Sequence, residues 1–227
     1  TPVRIRDCPP MQMKTYYEDN NVTIYHGDSR EIVSRLDPVD VVLTDPPYGM
    51  SYKSNARSDK TQFDVLQGDE VYDMEMLATL IAMSKCATYS FGRWDNLADM
   101  PKPKSVIVWI KNGHSMGDLK HEYARQWEMC AFYAKEGHEW ANGRPSDVIH
   151  AARVNPALMQ HPTEKPVELM TNLLFGVKCE TVLDPYMGSG STLRAAKDLG
   201  KRAIGIEIEE RYCEVAARRM AQECLPL

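Results

Sequence analysis

The stretch TVLDPYMGSGSTLRAAKDLGKRAIGIE, residues 181–207, constrains the fold more than any other part of the chain. It begins with an apolar run, continues through Gly188 and Gly190 into an amphipathic segment at 191–199, and ends in a second apolar run at 202–206. This order predicts a strand, a tight turn, a helix and a second strand. Parallel strands joined through a helix form sheets that are covered on both faces, so the stretch predicts an α/β fold.

The same alternation of apolar runs and helical patterns extends over most of the chain. Strands are predicted at 22–25, 39–44, 87–91, 105–110, 127–134, 181–183 and 202–206. Helices are predicted at 73–85, 166–175, 191–199 and 209–223, with Gly176 and Gly200 at positions where a glycine commonly ends a helix. These elements predict one domain, residues 1–227, with a mostly parallel seven-stranded sheet and helices on both faces. Two aperiodic stretches, 49–70 and 135–160, are predicted to be loops or small target-recognition insertions.

Composition narrows the class of protein. The 227 residues are 43% hydrophobic and 26% charged, which suits a globular domain with one substantial core. A net charge of -5 argues against a uniformly basic surface but leaves room for a local basic groove. The six cysteines show neither a CxxC pair nor zinc-ligand spacing, so neither a disulfide framework nor a metal site is predicted. Without a membrane-length apolar run or a signal-peptide pattern, the expected location is the cytoplasm.

The glycine-rich turn and the acid behind it indicate a nucleotide-like cofactor. Gly188 and Gly190 permit close approach of a ligand to the backbone, and the helix that follows directs free N–H groups at an anion. Glu207 ends the next strand at the spacing of an acid that binds ribose hydroxyls. The third glycine of a dinucleotide fingerprint is replaced by Leu193, which favours a smaller adenosyl cofactor over NAD. A tight turn with a surface glutamate is the alternative for these residues taken alone.

The tetrapeptide DPPY, Asp45 to Tyr48, directly follows a predicted buried strand. Pro46 and Pro47 stiffen the backbone and supply no N–H groups, so the polar groups on offer are acceptors, chiefly the Asp45 carboxylate and the Pro46 carbonyl. Two acceptors can hold the two hydrogens of an NH2 group, while Tyr48 offers a surface on which a base can stack. Ligands bind beyond the carboxyl ends of parallel strands, so DPPY and the segment 184–190 should border one crevice. A rigid surface turn is the alternative for the tetrapeptide alone.

Three segments, TDPPYGM at 44–50, HPTEKPVELM at 161–170 and LDPYMGSGSTLRAA at 183–196, together resemble the amino-group DNA methyltransferases. The order of the motifs resembles the circularly permuted β class, in which the catalytic tetrapeptide comes first. The resemblance implies a Rossmann-like S-adenosylmethionine-dependent methyltransferase fold. It further implies that S-adenosylmethionine is converted to S-adenosylhomocysteine without a metal, that the substrate is double-stranded DNA, and that the enzyme is often a homodimer.

The resemblance also assigns site residues. The implied catalytic residues are Asp45, Pro46, Pro47 and Tyr48. The implied cofactor-binding residues are Asp28, Asp45, Thr163, Lys165, Asp184, Tyr186, Gly188, Ser189, Gly190, Thr192 and Glu207. Among these, Glu207 would bind the ribose, Asp28 would lie near the adenine, and Lys165 would offset the carboxylate of the methionine part. The family usually has phenylalanine at Tyr186. From the residues alone, Thr163 is also predicted to be the N-cap of the following helix, with Pro166 in its first turn.

The resemblance to the amino-group DNA methyltransferases also bears on the base that is methylated and on the contacts with DNA. An initial Asp in the tetrapeptide is typical of enzymes that methylate N6 of adenine, whereas Ser more often begins it in N4-cytosine enzymes. Adenine is therefore predicted, with N4 of cytosine as the alternative. Methylation of RNA or of a protein amide, or an inactive DNA-binding remnant, is less favoured. Basic residues of the two aperiodic stretches predict contacts with DNA: Lys53, Arg57, Lys60, Arg144 and Arg153.

Overall fold

The computed structural model describes residues 14–47, 72–114 and 120–222. Within these ranges the strands are β1 (Thr15–Glu18), β2 (Val22–His26), β3 (Val41–Thr44), β4 (Ala87–Gly92), β5 (Ser105–Ile110), β6 (Trp127–Ala134), β7 (Val148–His150), β8 (Thr181–Asp184) and β9 (Arg202–Glu207). The α-helices are α1 (Ser29–Val33), α2 (Met74–Met83), α3 (Val167–Phe175), α4 (Ser191–Asp198) and α5 (Glu210–Ala221).

All of these strands belong to one sheet in the order β1-β2-β9-β8-β3-β4-β6-β5-β7. The central strands from β2 to β4 run parallel, β6 runs antiparallel between β4 and β5, and β7 is parallel to β5. β3, which leads into DPPY, lies directly beside β8, which leads into the glycine-rich turn. The α/β fold with a mostly parallel sheet is therefore confirmed.

The sheet has nine strands in the described ranges, so the predicted number of seven is wrong. β1 pairs antiparallel with β2 across a turn in which Asp19 accepts hydrogen bonds from the N–H groups of Asn21 and Val22. β7 lies inside the stretch 135–160 that was predicted to be a loop, and it pairs with β5 and forms one edge of the sheet. β1 and β7 are short and lack the buried apolar run that marks β3 and β8, so no periodic pattern reveals them, and pairing with a neighbouring strand defines them.

Helices cover both faces of the sheet. In β3, Val41 and Leu43 pack into the core formed with α3, α4 and α5, while Val42 packs on the opposite face against α1 and α2. This alternation follows from the two-residue period of a strand, and all four residues of β3 are buried. On the first face, Gly205 allows close packing, since a Cβ there would lie 2.4 Å from the Met187 sulfur and 2.6 Å from Leu193 Cδ2. The glycine-rich turn and α4 can therefore lie directly on β9.

The entry to α3 differs from its prediction. Pro166, in an extended conformation with ψ 139°, is the N-cap, and no side chain caps the helix. The prediction that Thr163 is the N-cap is therefore wrong, because the extended proline delays the first helical residue to Val167. The helices α3 and α4 end just before Gly176 and Gly200, as predicted. Gly200 is left-handed, with φ +69°, whereas Gly176 has φ -84°.

Three general features concern the described part of the chain. No helix there is long and apolar enough to cross a bilayer. No group of three or more His, Cys, Asp or Glu side chains in those ranges is arranged to hold a metal ion. The cysteines in the same ranges, Cys86, Cys130, Cys179 and Cys213, are free thiols.

Candidate active site

The carboxyl ends of β3 and β8 border a small cavity of about 40 Å³. The predicted cofactor residues that line it are Asp45, Thr163, Lys165, Asp184, Tyr186, Gly188, Ser189 and Thr192. Three others, Gly190, Glu207 and Asp28, do not line it. The cavity thus unites the segments that were expected to share a crevice, including the first residue of DPPY. Tyr48 lies outside the described residues.

The glycines of the turn are required by its backbone. Gly188 has φ +49° and Gly190 has φ +81°, a region that residues with a Cβ seldom adopt. A Cβ at Gly188 would lie 3.3 Å from the His161 ring, and one at Gly190 would lie 3.0 Å from the Cβ of Ala216 in α5. Both glycines were expected to allow close approach of a ligand. The structure shows that they are also needed for the backbone conformation and packing of the turn.

Glu207 stabilises the glycine-rich turn by hydrogen bonding to its backbone. Its side chain accepts hydrogen bonds from the N–H of Gly188 at 3.0 Å and from the N–H of Glu209 at 2.8 Å. Glu207 is only 8% exposed, and burial raises the pKa of its carboxyl group despite these bonds. Because a carboxylate has about four acceptor positions, Glu207 keeps capacity for a hydroxyl group.

Asp28 plays a local structural role. Its carboxylate is the N-cap of α1 and accepts a hydrogen bond from the N–H of Arg30 at 2.8 Å. Capping by Asp satisfies an N–H that the first turn of a helix leaves unpaired. The predicted position of Asp28 near an adenine ring remains a prediction, because this residue does not line the small cavity.

Asp184 is a buried acid at the centre of the site. It is 3% exposed and accepts a hydrogen bond from the N–H of Tyr186 at 3.1 Å. Burial raises the pKa of Asp184 to about 7, while hydrogen bonds from Thr192 and Tyr186 act in the opposite direction. Asp184 therefore changes its charge close to neutral pH.

Lys165 is bound to the tetrapeptide. Its ammonium group donates to Oδ2 of Asp45, lies 3.4 Å from Oε2 of Glu128 and is 5.1 Å from the centre of the Phe91 ring. The side chain is 6% exposed. Burial lowers the pKa of Lys165, but Asp45 and Glu128 outweigh burial and hold the pKa above its ordinary value. The resemblance predicted Lys165 but gave no indication of Glu128. The only signal for Glu128 is a charged residue at the start of an otherwise apolar strand, WEMCAFYA.

Residues 160–165 form a covering segment over the glycine-rich turn. Arg219 of α5 donates to Glu164 at 2.5 Å, to Ser191 at 3.0 Å and to Ser189 at 3.3 Å, and so ties this segment to the turn. The His161 ring packs edge-on against Tyr212 with ring centres 4.3 Å apart, and burial lowers the pKa of His161 to about 3. The covering segment is therefore held by a partly buried neutral imidazole and an ion pair.

A wider cleft of about 500 Å³ opens on the other side of Lys165. Its cationic and exposed aromatic lining residues are Arg93, Trp94, Lys111, Arg125, Trp127 and Arg153. Trp94 is 60% exposed and Trp127 is 43% exposed. Of the predicted DNA contacts, the structure brings Arg153 to this cleft but not Arg144, while Lys53, Arg57 and Lys60 lie outside the described residues.

Solved structures share this fold. The PvuII DNA methyltransferase (cytosine-N4-specific) superimposes with a TM-score of 0.70 at 14% identity, covering 95% of this chain and 92% of that one. The M1.HpyAVI–SAM complex gives a TM-score of 0.68 at 24% identity, covering 88% of this chain and all of that one. At these identities the similarity concerns the fold.

Sequence relatives cover nearly the whole chain. The Type II methyltransferase M2.DpnII of Streptococcus pneumoniae is 26% identical over 264 residues, covering 94% of each chain. The putative methylase YubD of Escherichia coli (strain K12) is 30% identical over 200 residues, covering 81% of this chain and 82% of that one. The DNA adenine methyltransferase YhdJ of the same strain is 22% identical over 258 residues, covering 94% of this chain and 86% of that one. The DNA methylase family model for N6 and N4 enzymes matches residues 39–218, and the chain belongs to this family.

Proposed function

We propose that the protein transfers a methyl group from S-adenosylmethionine to N6 of an adenine in double-stranded DNA. The observation that carries the proposal is the meeting of Asp45, from the DPPY tetrapeptide, with Asp184 and the glycine-rich turn at one cavity. The first segment suits an amino group, and the second suits an adenosyl ligand. Family membership supports the same reaction class.

The residues around the cavity fit S-adenosylmethionine by their chemistry. Of the lining residues, Asp184, Ser189 and Thr192 supply polar groups, and Lys165 offers a cation for a carboxylate. Glu207, which lies outside the lining and is bonded to the N–H of Gly188, is the ribose acceptor. The cavity is open to solvent, so its lining groups are accessible to a ligand. When bound, the cofactor supplies an electrophilic methyl group.

Asp45 and the Pro46 carbonyl act on the amino group of the base. An exocyclic amino group is a weak nucleophile because its lone pair is delocalised into the ring. Two acceptors that hold its two hydrogens favour a pyramidal nitrogen with an available lone pair. As the N–C bond forms, the methyl–sulfur bond of the cofactor would break to give S-adenosylhomocysteine, and one amino proton would pass by way of the Asp45 carboxylate to solvent. A carboxylate can accept several hydrogen bonds, so Asp45 can bind Lys165 and the amino group together.

The choice between adenine and cytosine rests on the tetrapeptide and the relatives. The tetrapeptide begins with Asp45, as is typical of adenine enzymes in this family, and one relative is named a DNA adenine methyltransferase. A structural neighbour is named cytosine-N4-specific, so N4 of cytosine is the second candidate. Both bases present an NH2 group, and the shape of the base pocket discriminates between them.

The wide cleft is the proposed DNA-facing surface. Exposed tryptophans beside arginines suit stacking of bases and binding of phosphates, and the cleft ends at Lys165 next to Asp45. The homodimer expected from the family resemblance, testable by light scattering, and the cytoplasmic location expected from the sequence pattern belong to the same proposal.

Transfer of labelled methyl from S-adenosylmethionine to unmethylated DNA, with nucleoside analysis of the product, tests the proposed function. Label in N6-methyladenine is the expected result. Label in N4-methylcytosine would favour the second candidate. Absence of label from every DNA, with label in RNA or protein instead, would overturn the choice of DNA.

A further inference from the structure

Glu128 links two lysines at the boundary between the cavity and the wide cleft. Lys111 donates to its Oε1, and the ammonium of Lys165 lies 3.4 Å from its Oε2. Because Lys165 also donates to Asp45, the charges alternate along a chain from Lys111 through Glu128 and Lys165 to the catalytic carboxylate. The three residues behind Asp45 are partly or largely buried, with side-chain exposures of 14%, 30% and 6% in that order.

The β-sheet holds this chain of charges in place. Glu128 lies opposite Trp109 in the antiparallel pair of β5 and β6, and Lys111 is the first residue after β5. The N–H of Lys111 donates to the Gln126 carbonyl at 2.9 Å, which extends the pairing by one step. Lys111 and Glu128 are thus diagonal neighbours on two paired strands. Their separation is set by the backbone rather than by flexible side chains.

We propose that Glu128 and Lys111 are positioning residues that orient Asp45 through Lys165, an inference that rests on the proposed methyl transfer. Glu128 is the second carboxylate at the ammonium of Lys165, beside Asp45, and Lys111 fixes Glu128. Lys165 then presents the Asp45 carboxylate at a defined angle to the amino group. Without Glu128, the Lys165 ammonium has more freedom to turn, and Asp45 turns with it.

Electrostatics support this arrangement. A buried ammonium ion is costly unless it is paired, and Lys165 faces two carboxylates. Burial acts to raise the pKa of Glu128, but Lys165 and Lys111 outweigh it and hold the pKa below its ordinary value. Other ionisable groups nearby include His161, whose pKa burial lowers to about 3, Asp184, which lines the same cavity, and the buried thiol of Cys130. The raised pKa of Lys165 and the lowered pKa of Glu128 both favour the charged form of these two side chains.

The test compares Glu128→Gln with a matched control, Glu139→Gln, which removes a glutamate from an exposed pair with Lys178 far from the cavity. Glu128→Gln preserves the shape of the side chain. The expected result is a fall in kcat on the order of 10- to 100-fold, with the KM for DNA and the Kd for S-adenosylmethionine changed by less than about twofold. Glu139→Gln is expected to match the wild type in kcat.

Variants at Lys111 separate positioning from folding. Lys111→Met should reproduce the fall in kcat, Lys111→Arg should restore most of it, and the double variant Lys111→Met/Glu128→Gln should be no slower than Glu128→Gln alone, because both act by one route. Unchanged kcat in Glu128→Gln would overturn the inference. A changed Kd for S-adenosylmethionine with unchanged kcat in Glu128→Gln would also overturn it. So would a drop in Tm in Lys111→Met that Lys111→Arg shows equally. If the wild type methylates no DNA, the proposed function itself fails, which is a separate result.

Discussion

Lys165 and Asp45 form an ion pair although 120 positions separate them in the chain. Lys165 belongs to the covering segment before α3, and Asp45 is the first residue after β3. The pair therefore connects the covering segment to the carboxylate that is proposed to bind the amino group. The position of the covering segment and the orientation of Asp45 are thus linked through one side chain.

Replacement of Asp45 should remove catalysis and spare cofactor binding. In Asp45→Asn the side chain keeps its shape, and Lys165 keeps Glu128 as a partner. Turnover is expected to fall at least about 100-fold, since the amide cannot supply a negatively charged acceptor. Calorimetry should give an affinity for S-adenosylmethionine within a few-fold of the wild type. Near-normal turnover would contradict the catalytic assignment.

Gly190→Ala should destabilise the fold more than Gly200→Ala. Both glycines are left-handed, with φ +81° and +69°, so each alanine carries a backbone strain of about 1 kcal/mol. Only the Cβ at position 190 meets another atom closely, at 3.0 Å from Ala216, whereas nothing lies within 4 Å at position 200. Urea unfolding should therefore give an additional loss of about 1–2 kcal/mol for Gly190→Ala. Equal losses would mean that the Ala216 contact relaxes without cost.

Asp184 should make stability decline with rising pH. Its pKa is 3.8 ordinarily and about 7 in the folded protein, so the folded state binds the proton more tightly between these values. The free energy of unfolding should fall across this window, by at most about 4 kcal/mol, and this fall should be absent in Asp184→Asn.

The free energy of unfolding of the wild type must be compared with that of Asp184→Asn at each pH. His161 has the opposite effect, because burial lowers its pKa from 6.5 to about 3 and its contribution to stability is lost as pH falls through that range. Both proteins retain His161, so its contribution cancels in the difference. Parallel stability curves from pH 4 to 7 would show that folding does not raise the pKa of Asp184.

Arg153 and Arg144 form a matched pair for the DNA-facing cleft. Both are exposed arginines, but only Arg153 lines the cleft. Arg153→Gln should weaken DNA binding by about 3- to 10-fold and lower the slope of log affinity against log salt by about 1, while Arg144→Gln should leave both unchanged. Fluorescence anisotropy at several salt concentrations measures both quantities. A larger loss of DNA affinity in Arg144→Gln than in Arg153→Gln would indicate that DNA binds at the segment that contains Arg144 instead.

Trp127 and Tyr123 test stacking in the same way. Trp127 lines the cleft and is 43% exposed, whereas Tyr123 is 98% exposed and does not line it. Trp127→Ala is expected to cost about 1–3 kcal/mol of DNA binding, the usual value for base stacking on an aromatic ring. Tyr123→Ala should cost little. Equal effects would argue against a specific stacking surface at Trp127.

Predictions from sequence were most successful where the signal was local. β3, β8, α4 and β9 each have a hydrophobic pattern that lies within a short stretch of sequence. The structure contains these elements close to the predicted bounds. The positive φ angles of Gly188, Gly190 and Gly200 likewise follow from a requirement that few residues other than glycine meet. The Thr163 cap failed even though it was local, because the extended backbone of Pro166 prevailed.

The sequence by itself determined the α/β alternation, the proline pair that follows β3 and the glycine-rich turn, since each depends on residues that are neighbours in the chain. Only the tertiary structure decided that Lys165 pairs with Asp45, that Glu128 stands behind Lys165, and that β7 joins the sheet through β5. Such contacts join residues far apart in sequence. Their geometry depends on strand order and register, which arise from burial of the whole sheet rather than from any short segment.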